Sequence, residues 1–332
     1  MATVQKEGHA PGHIGLLTSG GDAPGMNAAI RAVVRTAHYY GMQVSGIMEG
    51  YEGLIQDAIK PMGVRDVSNI IQRGGTILRS ARSRSFLTPQ GRATAKHNLD
   101  RHGIDALIVI GGDGTFRGAS IFEREHGLPV IGIAGTIDND LGGTDRSIGF
   151  DTATNTAMEM VDRIRDTASS HDRLFFVEVM GRTTGAIAMH CGIAAGAEYV
   201  MVPERDQGID ELIGVLERAA RTKSSVIVIV AEGDEEGGAY EVARKVKKRF
   251  QHFDTRVSVL GHVQRGGNPT VADRLLASRS GVAAVEALRK GDRNKMVGQV
   301  NASMVLTPFD QVLHKPVDLD EDLLRILGIL SI

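Results

Sequence analysis

The chain has 332 residues, a formal net charge of −2, 42% hydrophobic and 23% charged residues. This is globular composition with room for one large domain or two ordinary ones, and it offers no electrostatic case for a nucleic-acid or membrane partner. A single cysteine, Cys191, excludes an intramolecular disulfide and fits the reducing cytoplasm, and no apolar run reaches the roughly 20 residues that span a bilayer.

The opening "MATVQKEGHAPGH" lacks the apolar core of a signal peptide and reads as a short mobile tail. "IGLLTSGGD" (Ile14–Asp22) is the first of a series of apolar runs that end in small or polar residues. "NAAIRAVVRTAHYYG" follows at helical spacing, with Ile30, Val33, Val34 and Ala37 on one face and Gly41 placed to stop the helix. Next come the runs "ALIVIGGDGT" (Ala106–Thr115) and "VIGIAGTIDND" (Val130–Asp140). "DTATNTAMEMVDRIRDT" is helical again through Ala153, Ala157, Val161 and Ile164. "LFFVEVMGR" (Leu174–Arg182), "YVMVPE" (Tyr199–Glu204), "VIVIVAEG" (Val226–Gly233) and "VSVLGHVQRGG" (Val257–Gly267) complete the apolar runs, and "IDELIGVLERAAR" and "TVADRLLASRSGVAAVEALRKG" read as further helices. Continuous β-branched runs predict strands buried on both faces. Their alternation with helices predicts parallel sheets with right-handed crossovers, in two α/β units with a border near Phe150. Cys191 reads as a small buried hydrophobe, and the terminal "LLRILGILSI" as a packing segment too short to span a membrane.

Open parallel sheets bind ligands outside the carboxyl ends of their strands. The residues that end these runs therefore share a rim: Asp22, Asp113, Asp138, Asp140, Arg182, Glu232, His262 and Arg265. In "GGDGT" the glycines let phosphate oxygens approach backbone N–H groups at a helix start, and Asp113 could hold Mg²⁺. The alternative is a tight turn with a capping aspartate. "TSGGDAPGMN" is a second such junction, or an ordinary loop. In "GTIDND", Asp138 and Asp140 would share a side if the backbone is extended, one taking a proton from a hydroxyl and the other serving a metal. A solvated Asx-turn is the bland reading. Arg182, His262 and Arg265 suit a phosphate or hydroxyl, or are surface charge. Glu232 could accept hydrogen bonds from substrate hydroxyls or be a loop acid. "RSARSRSF" carries Arg79, Arg82 and Arg84 near Gly74 and Gly75, which fits stabilisation of a transferring phosphoryl group or a solvated basic loop. Together the parts describe a phosphoryl-transfer site.

"LTSGGDAPGMNAAIRAVVR", "IGGDGT", "GTIDND", "IGFDTA", "EVMGR" and "VLGHVQRGG" stand in the order seen in 6-phosphofructokinases of the bacterial type, and the chain resembles that family from about His13 to about Leu288. The resemblance implies two doubly wound three-layer αβα domains with mainly parallel sheets and the active site in the cleft between them. Residues 1–149 with 265–316 would bind ATP, and 150–264 with 317–332 the sugar phosphate. It implies ATP- and Mg²⁺-dependent phosphorylation of the 1-hydroxyl of fructose 6-phosphate, the committed step of glycolysis, in a cytoplasmic enzyme. Asp138 would be the general base with Thr136 beside it, and Arg182 and Arg82 would act with them. Asp113 would be the magnesium aspartate, supported by Asp140. Gly21, Arg82, Ser83, Gly112, Asp113, Gly114 and Thr115 match nucleotide-binding positions. Thr136, Ile137, Asp138, Met180, Gly181, Arg182, Glu232, His262, Val263, Gln264 and Arg265 match fructose 6-phosphate positions.

Arg173 and Arg256 match arginines that reach the 6-phosphate of a neighbouring subunit in a homotetramer. An effector site for ADP or phosphoenolpyruvate would use Arg31, Arg35, Arg165, Glu198, Arg221 and Lys223. Ser224 stands where a second lysine would be expected, Val64 where an arginine would be, and "SRSF" in place of Phe-Pro-Glu-Phe. Gly114 and Gly135 resemble the ATP users of the family, whereas pyrophosphate users have aspartate and lysine at those turns. The alternatives are a pyrophosphate-dependent or donor-promiscuous relative, and a non-catalytic sugar-phosphate sensor, which would be expected to have lost Asp138 or Asp113.

Overall fold

The computed structural model describes residues 10–168, 173–205, 208–314 and 320–330; residues 1–9 of the stretch read as a tail lie outside them. In chain order the strands are β1 His13–Thr18, β2 Gln43–Ile47, β3 Ile59–Pro61, β4 Ala106–Gly111, β5 Val130–Ala134, β6 Arg173–Val179, β7 Tyr199–Met201, β8 Val226–Ala231, β9 Asp254–Val259, β10 Lys295–Val300 and β11 Ser303–Pro308. The α-helices are α1 Met26–Tyr39, α2 Gly50–Ile55, α3 Pro89–Arg101, α4 Asp113–His126, α5 Phe150–Ala168, α6 Ala186–Ala194, α7 Ile209–Ala219, α8 Ala239–Lys247, α9 Val271–Arg289, α10 Phe309–His314 and α11 Glu321–Leu330. They form two compact units. The first comprises Met1–Thr136, Leu141–Gly149 and Gly267–Pro316, and the second Ile137–Asp140, Phe150–Gly266 and Val317–Ile332.

The first unit is built on a seven-stranded sheet ordered β11-β10-β5-β4-β1-β2-β3. β2, β1, β4, β5 and β10 run parallel, as the strand–helix alternation predicts. The chain leaves β1 toward β2 on one side and β4 toward β5 on the other, so β1 and β4 flank the switch point where an open sheet binds its ligand. α1 buries Ile30, Val33, Val34 and Ala37 as its spacing requires, and Gly41 at φ 74° ends it. α3 opens on Pro89, with the Thr88 hydroxyl accepting the Gly91 N–H at 3.1 Å. The core gathers Leu17, Leu54, Leu99, Phe116, Phe122 and Phe309. Phe116 and Phe309 stack with centroids 5.2 Å apart. Gly132 in β5 leaves them room, since a Cβ there would lie 2.5 Å from the Phe116 ring and 2.7 Å from that of Phe309.

The second unit has a parallel four-stranded sheet ordered β7-β8-β6-β9. Leu174, Phe176, Met201, Leu216, Val228 and Val230 form its core. β6 and β8 are buried as their continuous apolar runs predict. β9 corrects the expectation that every such run is covered on both faces. It is one of the sheet's two outer strands, paired only with β6, and Asp254, Arg256 and Val259 are exposed. β9 begins ahead of the Val257–Gly267 run, so that Arg256 is its third residue. Among the described residues no helix is long and apolar enough to cross a membrane.

Cys191 is fully buried in α6, as its reading as a small hydrophobe requires, and burial pushes its thiol up to about 12. A raised pKa means less thiolate at neutral pH. Alkylation by iodoacetamide at pH 8 should therefore run on the order of a thousandfold slower in the folded protein than in denaturant, the ratio of thiolate at a pKa of about 12 to that at an ordinary ~8.5. Equal rates in the two states would put the thiol at the surface.

Candidate active site

In the first unit the two glycine turns meet at the switch point. The Ser19 N–H donates to the Ile110 carbonyl at 3.0 Å, and the Thr115 hydroxyl donates back to the Ser19 carbonyl at 3.1 Å. "TSGGD" and "GGDGT" are thus fixed against each other by the strands they terminate. Gly111 is required by this closeness, because a Cβ there would collide with the Thr115 side chain and lie 2.5 Å from the Ser19 carbonyl oxygen. α4 begins at Asp113, and Gly112 before it has no side chain to cap the first turn. A helix start of this kind, at the carboxyl end of a buried strand, favours an anion. Gly114 differs from Gly111: a Cβ there meets nothing within 4 Å, so neither packing nor backbone demands a glycine. At Gly135 a Cβ would lie 2.9 Å from Ile110, so a larger residue would also disturb the sheet.

The segment carrying Arg82 is held from below by the first and last residues of "TSGGDAPGMN". The buried Asn27 side chain donates to the carbonyls of Arg73 and Gly74, each at 3.1 Å, and accepts the Ile77 N–H at 2.8 Å. The Thr18 hydroxyl donates to the Arg79 carbonyl at 2.7 Å. A polar side chain on the buried face of α1 is the signal in the sequence that could have found Asn27. Arg82 is exposed, while the Ser83 hydroxyl donates to Glu52 at 2.6 Å and accepts the Phe86 N–H at 3.1 Å. Ser83 therefore caps the turn at 85–87 as well as standing at a nucleotide-matching position. Arg79 pairs with Glu49 at 3.5 Å. Thr136 is buried at the end of the β5 segment, where its carbonyl accepts the Ser147 hydroxyl at 2.6 Å.

In the second unit Asp138 is only 4% exposed. Asn139 takes φ 51°, so the backbone turns between Asp138 and Asp140, and the extended spacing in which both carboxylates share a side is not adopted. Asp140 instead lies 3.5 Å from the Arg182 guanidinium, and this cation partly compensates the charge it would offer a metal. Arg182, at φ 58°, follows β6 and donates its N–H to Glu232 at 2.7 Å. Glu232, expected to face substrate hydroxyls, thus has one oxygen engaged with the loop. Met180 donates its N–H to the Gln264 side chain at 2.9 Å. Gln264 is fully buried, and its side-chain oxygen supports the loop. A Cβ on Gly181 would collide with the Thr184 carbonyl. Val263 and His262 are exposed and Arg265 half-buried on the 3-10 turn Gly261–Arg265 after β9. At the opposite ends of these strands, Arg173 and Arg256 both contact Asp254, at 3.8 and 2.6 Å.

The residues matched to an effector site divide between the units. Arg31 and Arg35 lie on α1, where burial first and the charge of Arg35 second lower the pKa of Arg31. In the second unit Lys223 pairs with the buried Glu198 at 3.4 Å, Arg165 donates to the carbonyls of Ala195 and Gly196, and Arg221 is exposed.

An anion-binding switch point in one α/β unit, and a buried carboxylate with arginines at the strand ends of the other, define an α/β protein equipped for phosphoryl chemistry. Residues 13–288 match the family described as Phosphofructokinase, and the chain belongs to that family. It is 56% identical over 320 residues to ATP-dependent 6-phosphofructokinase 1 of Thermus thermophilus, covering 96% of this chain and 99% of that one. It is 52% identical to ATP-dependent 6-phosphofructokinase 2 of Bacteroides thetaiotaomicron, over 96% of this chain and 98% of that one. Its fold is similar to that of Pichia pastoris phosphofructokinase in the T-state, with a TM-score of 0.86 and 37% identity over 93% of this chain and 36% of that one.

The two glycines should respond oppositely to alanine. Gly114→Ala is expected to stabilise by about 0.4–1 kcal/mol, because it removes unfolded-state freedom at no steric cost. Gly111→Ala is expected to destabilise by about 1–3 kcal/mol through overpacking. Urea denaturation of both variants checks this, and a destabilised Gly114→Ala would show that glycine is needed there for the fold.

Proposed function

We infer that the chain transfers the γ-phosphoryl group of ATP to the 1-hydroxyl of fructose 6-phosphate, giving fructose 1,6-bisphosphate and ADP. What carries this reading is Asp138, a carboxylate 4% exposed at the carboxyl-end rim, in a chain that matches ATP-dependent 6-phosphofructokinases over 96% of its length. In the reaction a bond forms between the sugar O1 and the γ-phosphorus, and the bond from that phosphorus to the β,γ-bridging oxygen of ATP breaks. The hydroxyl proton passes to the Asp138 carboxylate, and ADP leaves with the bridging oxygen. Gly21, Arg82, Ser83 and Gly112–Thr115 bind the nucleotide, with the α4 start facing its phosphates. Thr136, Ile137, Met180, Gly181, Arg182, Glu232, His262 and Arg265 serve the sugar phosphate, and Arg182 and Arg82 neutralise charge on the transferring group. The open space at Gly114 supports ATP over pyrophosphate as donor.

Mg²⁺ fits this chain in one particular way. Among the described residues no three acidic or histidine side chains form a cluster that could hold a metal. That suits a cation held through one carboxylate, Asp113, and the donor's phosphates. With Asp140 compensated by Arg182, Asp113 is the principal protein ligand. When bound, the cation neutralises charge on the β- and γ-phosphates.

Asp138→Asn keeps the shape and removes the proton acceptor. Its kcat should fall about 10²–10⁴-fold, with the KM for fructose 6-phosphate near that of the wild type. Steady-state kinetics with ATP measure this, and a near-normal kcat would remove Asp138 from the mechanism.

The 6-phosphate is completed across subunits of a homotetramer, whose effector, ADP or phosphoenolpyruvate, is taken by Arg31, Arg35, Arg165, Glu198, Arg221 and Lys223. Arg173 opens β6 and Arg182 follows its end. The strand between them spans on the order of 20 Å, so the two cannot serve one phosphate from the same chain. A symmetry-related neighbour supplies Arg173 and Arg256. Mixing inactive Arg173→Ala subunits with inactive Asp138→Asn subunits should restore part of the activity. No recovery in a well-exchanged mixture would contradict the shared site.

A further inference from the structure

We propose that Thr184 is a positioning residue for phosphoryl transfer, its hydroxyl holding the main chain of Asp138 against the 180–185 loop so that the base keeps its aim. The inference rests on the function proposed above. Thr184 is 7% exposed, and its hydroxyl donates to the Asp138 carbonyl at 2.7 Å. The Gly181 carbonyl lies 3.2 Å from the same oxygen. A hydroxyl has one proton, and the shorter contact takes it. The Thr184 N–H donates to the Gly181 carbonyl at 2.9 Å. This one residue therefore closes its own loop with its main chain and reaches the base-bearing turn, 46 positions away, with its side chain.

The loop is a firm support. Its Met180, Arg182 and Gly185 N–H groups donate to Gln264, Glu232 and Glu204, at 2.9, 2.7 and 2.7 Å. A Cβ on Gly233 would collide with the Arg182 carbonyl, so the neighbouring strand end presses directly on it. The turn is where support is needed: Asn139 holds a left-handed conformation that persists only when its surroundings over-determine it. Removing the Thr184 proton leaves the Asp138 carbonyl buried with one donor fewer and frees the turn to relax. A misplacement of about 1 Å at a reacting group costs on the order of 100-fold in rate.

The test compares Thr184→Ser, which keeps the hydroxyl, with Thr184→Ala, which loses it; the two differ by one oxygen. Fructose 1,6-bisphosphate formation is measured in wild type and in both variants, each in the native and the Asp138→Asn background. Single turnovers with enzyme in excess keep the slow rates measurable, and circular dichroism establishes the folded fraction. Thr184→Ala should lower kcat about tenfold or more with the KM for ATP unchanged, Thr184→Ser should stay within about threefold of wild type, and in the Asp138→Asn background the alanine change should cost less than about twofold. Equal rates for the serine and alanine variants, or the same loss in both backgrounds, would overturn the positioning role and leave the function intact. A wild type that forms no fructose 1,6-bisphosphate would overturn the function, and this inference with it.

Discussion

Burial of Asp138 is the constraint on which the rest of the site depends. A carboxylate kept from water loses solvation that costs several kcal/mol unless the surrounding main chain and side chains replace it. The main chain that carries it is fixed through the left-handed Asn139 and the Thr184 bond to the Asp138 carbonyl. The neighbouring loop is then committed in turn. Gln264 and Glu232 each hold a backbone N–H, and Arg182 takes φ 58° with its guanidinium toward Asp140. Residues that read as ligand contacts in a motif thus also hold the main chain of the 180–182 loop.

The first unit obeys a different logic. There two strand ends meet backbone against side chain, so the requirement is absence of side chains at the turn. Gly111 is forced by the packing of two strand ends, whereas Gly114 faces open space and has no structural reason to be glycine. A helix start without a side-chain cap and an empty flank beside it are complementary to a large, negatively charged donor. One strand order produces both, because β1 and β4 lie side by side with their chains departing in opposite directions.

The strand ends that form the rim are legible in the sequence because burial on both faces writes a continuous apolar run, and the polar residue that ends it marks the rim. Elements lacking that signature leave no such trace. α3, "PQGRATAKHNLDR", buries little apolar surface and shows no stripe. The β10–β11 hairpin turns through Asn301 and Ala302, both at positive φ, without the glycine that usually announces such a turn. β9 reads as covered because "VSV" gives no sign that one side of the strand lacks a neighbour. The phosphate turns can be argued from glycine and aspartate chemistry, but the sugar-phosphate positions come from resemblance to a family. Thr184 is invisible in principle: its partner is a backbone carbonyl 46 residues away, and only the fold brings the two together.

The central claim is the identity of donor and acceptor. Purified protein supplied with fructose 6-phosphate and Mg²⁺ and either ATP or pyrophosphate, and assayed for fructose 1,6-bisphosphate, tests it directly. Product should form with ATP and stay at background with pyrophosphate. Equal turnover with pyrophosphate, or none with ATP, would contradict the roles assigned to the Asp138 and Gly114 turns.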